Sequence, residues 1–359
     1  MKRFLIALIA FFSISACGPA KPSLKERLDA AVDSTLAAMT TQEKVWQLFT
    51  VGTHELQDSL YPVGGVILFA YDVKDSAQLV HLTDSLHALP GKPLVSIDEE
   101  GGRVARIGRN KAFNVPRIPP MGEASSPEDA YSYGNEIGRY LSLYGIDIDF
   151  APVADVNTNP QNPVIGDRAF SDDPSDAAGK VVKYLQGLSD AGIYGCIKHF
   201  PGHGDTKTDS HYGYAQSLKT WEELLSCEMI PFKAGIEAGT PLVMTAHIAV
   251  PSVTGSEVPS TLSPLMLTEK LRGELGYEGL IITDALRMGA ISKEYSCREA
   301  AALAFIAGAD ILLLPENPLE AFQGVMAALQ DGSISEDRLN QSVRRILELK
   351  LQKTLRLSY

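Results

Sequence analysis

An eightfold alternation of short apolar runs with longer amphipathic segments, beginning at Ser23, limits the possible folds of this chain most strongly. This alternation is typical of βα units, whose parallel strands are buried on both faces and are therefore apolar throughout. The sequence predicts strands at 47–51, 65–69, 93–97, 146–151, 194–198, 242–246, 280–283 and 310–314.

The segments between these runs repeat apolar residues at helical spacing. The predicted helices include 77–87, 127–143, 176–191, 218–238 and 297–307, with a last helix at 336–355. Eight such alternations close into a (β/α)8 barrel. A doubly wound open sheet would alternate too, but the glycine fingerprint of a nucleotide-binding first turn is missing after the early strands. We therefore predict a single α/β domain, a TIM-type barrel, over residues 23–359.

The first residues predict export. Lys2 and Arg3 precede an almost wholly apolar run at 4–14, which is too short to span a bilayer and is typical of a signal peptide. The sequence Ile14-Ser15-Ala16-Cys17 resembles the bacterial lipobox, which predicts cleavage after residue 16, lipidation of Cys17 and a tether at 17–22. A plain secretory signal with an accidental cysteine is the alternative. We expect a lipoprotein that faces the periplasm or the cell surface.

Charge and cysteine content exclude several other classes of protein. The formal net charge of −12 is spread along 359 residues without a run of five like charges, so we expect no nucleic-acid partner. Lipidation of Cys17 would leave Cys196, Cys227 and Cys297, without any CxxC spacing. This pattern predicts neither a disulfide framework nor a zinc cluster, and we interpret Cys196 as a core residue.

Polar residues follow or end several of the predicted strands, where the active site of such a barrel lies. They are Asp98 after the third run, Asp155 after the fourth, Lys198 and His199 at the fifth, His247 after the sixth and Asp284 after the seventh. A single aspartate at a strand end is often a helix or turn cap. Several polar residues on different strands favour an active site, although a buried core histidine explains His247 equally well.

The segment 198–211 concentrates polar residues and contains three of the seven histidines. A metal site is one interpretation, but the spacing lacks an HExxH or CxxC pattern and Lys198 would oppose a cation, so we expect no metal and no other cofactor. The pair Asp209 and His211 is better interpreted as an acid/base dyad, since a carboxylate orients imidazole and raises its pKa. With Asp284 as carboxylate nucleophile, this is the logic of a retaining glycosidase.

From about Thr40 to Leu355, the chain resembles glycoside hydrolase family 3, and specifically its single-domain β-N-acetylglucosaminidases. The motifs that carry the resemblance are DEEGGRVAR at 98–106, APVADV at 151–156, GDRAF at 166–170, KHFPGHGDT at 198–206, DSH at 209–211 and ITD at 282–284. Members of this subgroup are commonly cytoplasmic recycling enzymes, so the predicted lipoprotein signal is a departure from the family.

The resemblance implies that Asp284 forms a covalent glycosyl ester while His211, supported by Asp209, protonates the leaving group and then activates water. It also implies sugar contacts by Asp98, Arg106, Arg168, Lys198 and His199. A structural ion pair is an alternative for the two arginines, and His203 with Asp205 is interpreted as loop scaffold.

The implied substrates are β-linked N-acetylglucosamine saccharides, such as peptidoglycan fragments or other amino-sugar chains, acted on by a monomer. Three alternatives stay open. One is phosphorolysis, because a histidine acid/base would not repel phosphate. The second is a non-catalytic sugar-binding lipoprotein. The third is a β-glucosidase, which usually takes its acid/base from an additional domain for which this chain has no room.

Overall fold

The computed structural model describes residues 22–56, 61–206 and 215–356, and side chains as far as residue 353. Its centre is a sheet of eight strands, which we number in chain order: Phe49–Gly52 (β1), Gly65–Leu68 (β2), Leu94–Ile97 (β3), Ile148–Asp149 (β4), Tyr194–Phe200 (β5), Leu242–Thr245 (β6), Leu280–Thr283 (β7) and Leu312–Leu313 (β8).

The strands pair in parallel in the order β8-β1-β2-β3-β4-β5-β6-β7. A parallel bridge between Ile282 and Ile311 joins β7 back to the segment that leads into β8. There the amide of Thr283 donates to the carbonyl of Ile311 at 3.0 Å. The predicted (β/α)8 barrel is confirmed, and each of the eight predicted apolar runs overlaps one barrel strand.

Thirteen helices are described around the sheet. They are Leu24–Ala38, Thr41–Gln47, Ser76–His87, Pro127–Leu143, Pro174–Asp190, Trp221–Ser226, Met229–Glu237, Pro251–Thr254, Leu265–Glu274 (a π-helix), Gly289–Ser292, Cys297–Ala307, Pro318–Gln330 and Glu336–Arg356, besides short 3₁₀ turns. Several begin at a capping box, in which a Ser or Thr and a Glu or Asp three residues later satisfy each other's backbone amides. The capping residues are Ser23, Thr40, Ser126, Thr220 and Ser296.

Several predicted boundaries are wrong, and two of them change the assignment of an element. Gln47 ends a helix, and β1 begins only at Phe49. The single helix predicted over 218–238 is two helices, Trp221–Ser226 and Met229–Glu237. Cys227 between them has a non-helical backbone, and Pro231 has no amide hydrogen to bond the carbonyl of Cys227. Apolar periodicity continues across this break, which is why the pattern did not show it.

The core confirms the interpretation of Cys196, which is fully buried in β5. The three cysteines in the described ranges are free thiols. On the carboxyl side of the barrel, Ala215–Gln216 pairs in parallel with Ile248–Ala249 as a separate two-stranded ladder. Within the residues that the structure describes, no helix is both long and apolar enough to cross a membrane.

Asp310, buried just before β8, ties the last helix to the sheet. Its carboxylate contacts Arg272 and Arg338 and lies 3.2 Å from Arg345, and it accepts the amide of Ile281 at 2.9 Å. A buried carboxylate with several charged donors is costly to remove, because the donors then lose a shared counter-charge in a partly buried setting.

We expect Asp310→Ala to lower the free energy of unfolding by about 3 to 5 kcal/mol, measured by denaturant unfolding with tryptophan fluorescence. The matched control is Asp33→Ala. Asp33 also contacts an arginine, Arg344, but on the surface with its side chain 62% exposed, so its loss should cost less than about 1 kcal/mol. Equal losses in the two variants would contradict the assignment of Asp310 as an anchor.

Candidate active site

A cavity of about 560 Å³ opens at the carboxyl ends of the barrel strands. Its apolar wall includes Ile67, Met244 and Leu313. Its polar lining consists of Asp98, Glu100, Arg106, Arg168, Lys198, His199, His203, Asp284 and Arg287. The cavity therefore brings together every described residue that the sequence analysis assigned to catalysis or to sugar binding.

Lys198 forms the centre of the polar wall. It lies within β5 with its side chain 2% exposed, and its Nζ donates to Asp98 Oδ1 at 2.9 Å and contacts Glu100 Oε1 at 2.6 Å. Burial alone would lower its pKa, but the carboxylates of Asp98 and Glu100 outweigh burial and raise the pKa of Lys198. The ammonium therefore stays charged and holds two acidic side chains beside each other.

Glu100 receives a second cation, Arg168. The guanidinium donates from Nε and from one Nη to the two oxygens of Glu100, both at 2.8 Å, in a bidentate pair. Burial opposes ionisation of Glu100, yet Arg168 and Lys198 together lower its pKa. No role was predicted for Glu100, although three successive acidic residues directly after a buried strand were an available signal. Arg168 contacts Glu100 rather than Asp98.

Asp98 lies between Lys198 and Arg106, whose Nη donates to Asp98 Oδ2 at 3.2 Å. Unlike Glu100, Asp98 keeps its side chain 20% exposed toward the cavity. Glu99 holds the loop that carries Arg106, because its buried carboxylate accepts the amides of Arg106, Ile107 and Gly108 at 2.6, 2.9 and 2.7 Å. The Asp98 carboxylate, which is held between Lys198 and Arg106, can accept two hydroxyls of one sugar.

Asp155 organises the two histidines of the cavity. Its Oδ2 lies 2.7 Å from His199 Nδ1, and its Oδ1 accepts the amides of His199 and His203 at 3.2 and 2.6 Å. Burial raises the pKa of Asp155, but His199 and His203 outweigh burial, and the net shift is downward. The other ring nitrogen of His199, Nε2, lies 3.5 Å from the guanidinium of Arg168.

His203 was interpreted from the sequence as loop scaffold. Its Nδ1 lies 2.6 Å from the hydroxyl of Thr206, a local contact of that kind. The ring also lines the cavity, which the sequence analysis did not anticipate. Burial first, and then the neighbouring His199, lower the pKa of His203.

Asp284 is placed directly after β7 and lines the same cavity. Its Oδ1 accepts the amide of Ala285 at 2.7 Å, and its own amide donates to the carbonyl of Thr245. The carboxylate is thus fixed by the end of a rigid strand. His247 is a buried histidine whose two ring nitrogens contact Thr261 Oγ1 at 2.9 Å and the carbonyl of Ala285 at 3.0 Å. It therefore helps to fix the backbone next to Asp284.

Asp209 and His211 lie outside the described residues, as does Cys17. The chain before them is anchored by Asn162, which donates to the carbonyls of His203 and Thr206 at 2.7 and 3.1 Å. Across residues 22–56, 61–206 and 215–356, the structure contains no group of three or more His, Cys, Asp or Glu side chains that could hold a metal ion. The expected absence of a metal stays a prediction.

Comparison with known proteins agrees with this geometry. Residues 40–349 match the family described as glycosyl hydrolase family 3 N terminal domain. The chain is 37% identical over 322 residues to Beta-hexosaminidase A of Pseudoalteromonas piscicida, covering 81% of this chain and 54% of that protein. It is 32% identical over 332 residues to Beta-hexosaminidase LpqI of Mycobacterium tuberculosis, covering 88% and 84%.

A solved structure, the glycoside hydrolase family 3 β-N-acetylglucosaminidase from Paenibacillus sp. str. FPU-7, superposes with a TM-score of 0.84 at 38% identity. The match covers 89% of this chain and 64% of that one. The chain therefore belongs to glycosyl hydrolase family 3 and is a glycoside hydrolase. Its relatives carry the name β-hexosaminidase, which confirms the predicted membership and subgroup. The chain spans about half the length of the first of these relatives.

Proposed function

We propose that this protein is a retaining exo-β-N-acetylglucosaminidase that removes terminal β-linked N-acetylglucosamine. One observation carries the proposal: Asp284, at the end of β7, shares a cavity with the ionic cluster of Asp98, Lys198, Glu100 and Arg168. A single carboxylate fixed by a strand end is suited to attack carbon, and the opposite wall is suited to bind sugar hydroxyls.

In the proposed reaction the Asp284 carboxylate attacks the anomeric carbon and forms a glycosyl ester. As the bond to the leaving oxygen breaks, His211 donates a proton to that oxygen, and Asp209 stabilises the resulting imidazole in its orientation. Neutral His211 then takes a proton from water, the water oxygen attacks the anomeric carbon, and the Asp284 carboxylate leaves. Two displacements at one carbon retain its configuration.

Sugar binding in this proposal belongs to the wall of β3 and β5. Asp98 accepts two hydroxyls of the terminal sugar, while Arg106, Arg168, Lys198 and His199 donate to its remaining oxygens. Because Lys198 and Arg168 are already fixed by Glu100, their donor positions are set before substrate arrives. Pre-organised donors stabilise the transition state without reorganisation during the reaction.

The proposed substrates are peptidoglycan fragments or other amino-sugar oligosaccharides, and the name β-hexosaminidase of the relatives supports an amino-sugar substrate. We further propose residues 1–16 as a signal peptide, Cys17 as the lipidated residue and 23–359 as the catalytic unit. The enzyme would act as a monomer in the periplasm or at the cell surface, held to the membrane through the lipid alone.

The decisive assay measures aryl release by the purified full-length protein from an aryl β-N-acetylglucosaminide and from the aryl β-glucoside, each with and without phosphate. The proposal expects cleavage of the acetylated substrate, little cleavage of the glucoside and no dependence on phosphate. A phosphate requirement with formation of a sugar 1-phosphate would instead identify a phosphorylase. Absence of cleavage under all four conditions would overturn the catalytic assignment.

His211→Ala tests the acid/base dyad through the leaving group. We expect it to lower kcat/KM about 10² to 10⁴-fold for an alkyl or sugar leaving group, which needs a proton. For a dinitrophenyl leaving group, which departs without one, kcat/KM should fall less than about tenfold. The control is His81→Ala, because His81 is exposed on the outer helix Ser76–His87. Equal losses with both leaving groups would contradict the assignment.

A further inference from the structure

The last helix, Glu336–Arg356, lies across the end of the barrel at which the strands begin. Its Lys350 donates from Nζ to the carbonyl of Gly91 at 2.9 Å, and its Lys353 contacts the carboxylate of Asp147. Gly91 and Asp147 are located just before β3 and β4. The cavity, in contrast, is formed at the carboxyl ends of the strands. The last helix and the cavity are therefore at opposite ends of the barrel.

The first helix, Leu24–Ala38, packs on the last helix, and two pairs of residues show that it runs in the opposite direction. Asp33 contacts Arg344 in the middle of the last helix. One turn earlier, Asp29 acts on Glu348, which lies one turn later in the last helix. Burial raises the pKa of Glu348, Arg344 lowers it, and the carboxylate of Asp29 raises it. The first helix therefore begins at the end of the barrel opposite the cavity.

The proposed tether is short compared with the barrel. From Cys17, the residue that we propose to be lipidated, to Pro22, where the described chain begins, a fully extended chain reaches at most about 18 Å. The outer helix Pro127–Leu143 leads from the carboxyl end of the barrel to the other end, and its 17 residues make it about 25 Å long. A lipid on Cys17 therefore keeps the end that carries the first helix beside the bilayer, and the tether is too short to bring the cavity mouth there.

We infer that the first helix faces the phospholipid bilayer and that the cavity opens away from it. This inference rests on the proposed function, which includes lipidation of Cys17. At the start of the first helix, Leu24 is 44% exposed and is followed by the exposed Lys25. A leucine side chain can enter the interfacial layer of a bilayer, and a lysine ammonium can bind lipid phosphate. The surface next to the tether is therefore suited to contact the bilayer that holds the lipid.

This orientation determines which substrates reach the enzyme. The height of the barrel, about 25 Å as given by the outer helix Pro127–Leu143, separates the cavity mouth from the lipid head groups. A saccharide that is free in solution, or that belongs to a polymer away from the membrane, reaches the mouth without obstruction. A short sugar head group of the same bilayer does not. The substrates that we assign to the anchored enzyme are therefore soluble or polymeric amino-sugar chains rather than glycolipids.

The test uses the lipidated full-length protein in vesicles of phosphatidylethanolamine and phosphatidylglycerol, with added phosphatidylcholine that carries a nitroxide on its head group. Cys227→Ser and Cys297→Ser remove the two half-buried thiols, and one new cysteine then carries a fluorescent dye. Ala30→Cys places the dye on the exposed side of the first helix, whereas Glu316→Cys places it after β8, at the end that holds the cavity. Because a nitroxide quenches only at short range, it should quench the dye at position 30 and leave the dye at position 316 unchanged.

Activity is measured on the same vesicles. For the aryl β-N-acetylglucosaminide, kcat/KM in vesicles should stay within about twofold of its value in detergent, because a soluble substrate diffuses freely to a mouth that faces away from the bilayer. Stronger quenching at position 316, equal quenching at both positions, or activity lost only in vesicles would overturn the inference. A protein that does not float with the vesicles refutes the proposed lipid anchor and the inference with it. The expected quenching without activity in either state refutes the proposed catalytic function alone and supports the orientation.

Discussion

Asp284→Asn is expected to lower kcat by about 10⁴-fold or more, with the fold intact. The carboxamide has the shape of the carboxylate and can still accept the amide of Ala285 from its oxygen. It carries no negative charge to attack the anomeric carbon or to stabilise positive charge developing there. The measurement is aryl release from the aryl β-N-acetylglucosaminide, with circular dichroism to show that the variant is folded.

The matched control is Asp172→Asn, because Asp172 is an exposed aspartate outside the cavity lining. A second measurement identifies the residue directly. A fluorinated N-acetylglucosaminyl fluoride, which slows the second displacement, should leave a sugar on the peptide that contains Asp284, as detected by mass spectrometry. Activity of Asp284→Asn within tenfold of wild type, or an adduct on another residue, would show that Asp284 is not the nucleophile.

Lys198→Met is expected to lower kcat/KM about 10³-fold or more and the free energy of unfolding by about 3 to 5 kcal/mol. Methionine fills most of the same space but leaves Asp98 and Glu100, which Lys198 contacts at 2.9 and 2.6 Å, without their shared cation. Glu100 is 2% exposed, so its charge cannot be compensated by water. Loss of the cation therefore affects both the folded state and the position of Asp98.

Lys180→Met distinguishes this role from a general effect of removing a buried lysine. Lys180 has a side chain only 7% exposed and pairs with Asp176 at 2.7 Å, but it lies on an outer helix. Its loss should cost less than about 1 kcal/mol and leave kcat/KM unchanged, because Asp176 reaches solvent. Lys198→Arg should have a higher free energy of unfolding than Lys198→Met. Its kcat/KM should still be below that of the wild type, since a guanidinium does not fit the position of one ammonium between two carboxylates. Full activity in Lys198→Met would refute the proposed sugar-binding cluster.

Much of the barrel was predictable because parallel strands buried on both faces are almost wholly apolar. The run at 280–283 coincides with β7, and Cys297–Ala307 matches the predicted helix. The failure at 218–238 has a local cause: the helix break at Cys227 leaves the apolar period undisturbed. Hydrophobic periodicity indicates which residues face the core, but it does not show where backbone hydrogen bonds are interrupted.

The candidate site was predictable to the extent that it follows strand ends. Asp98, Lys198, His199 and Asp284 were singled out by their position at or after the end of an apolar run, and the structure places all four in one cavity. Partners within the cavity were not predictable. Arg168 pairs with Glu100, which the sequence analysis passed over, because pairing depends on where a loop after β4 returns across the barrel mouth.

The sequence by itself determined the number and order of the βα units, the family of the chain and the residue types available for chemistry, because local patterns and motifs encode them directly. Only the tertiary structure decided that Lys198 bridges two carboxylates, that His203 faces the cavity, and that Tyr71 and Arg287 both lie against the ring of Phe69. Some of those relations join residues more than 200 positions apart in the sequence, and closure of the barrel, through β7 and β8 meeting β1, sets their distances.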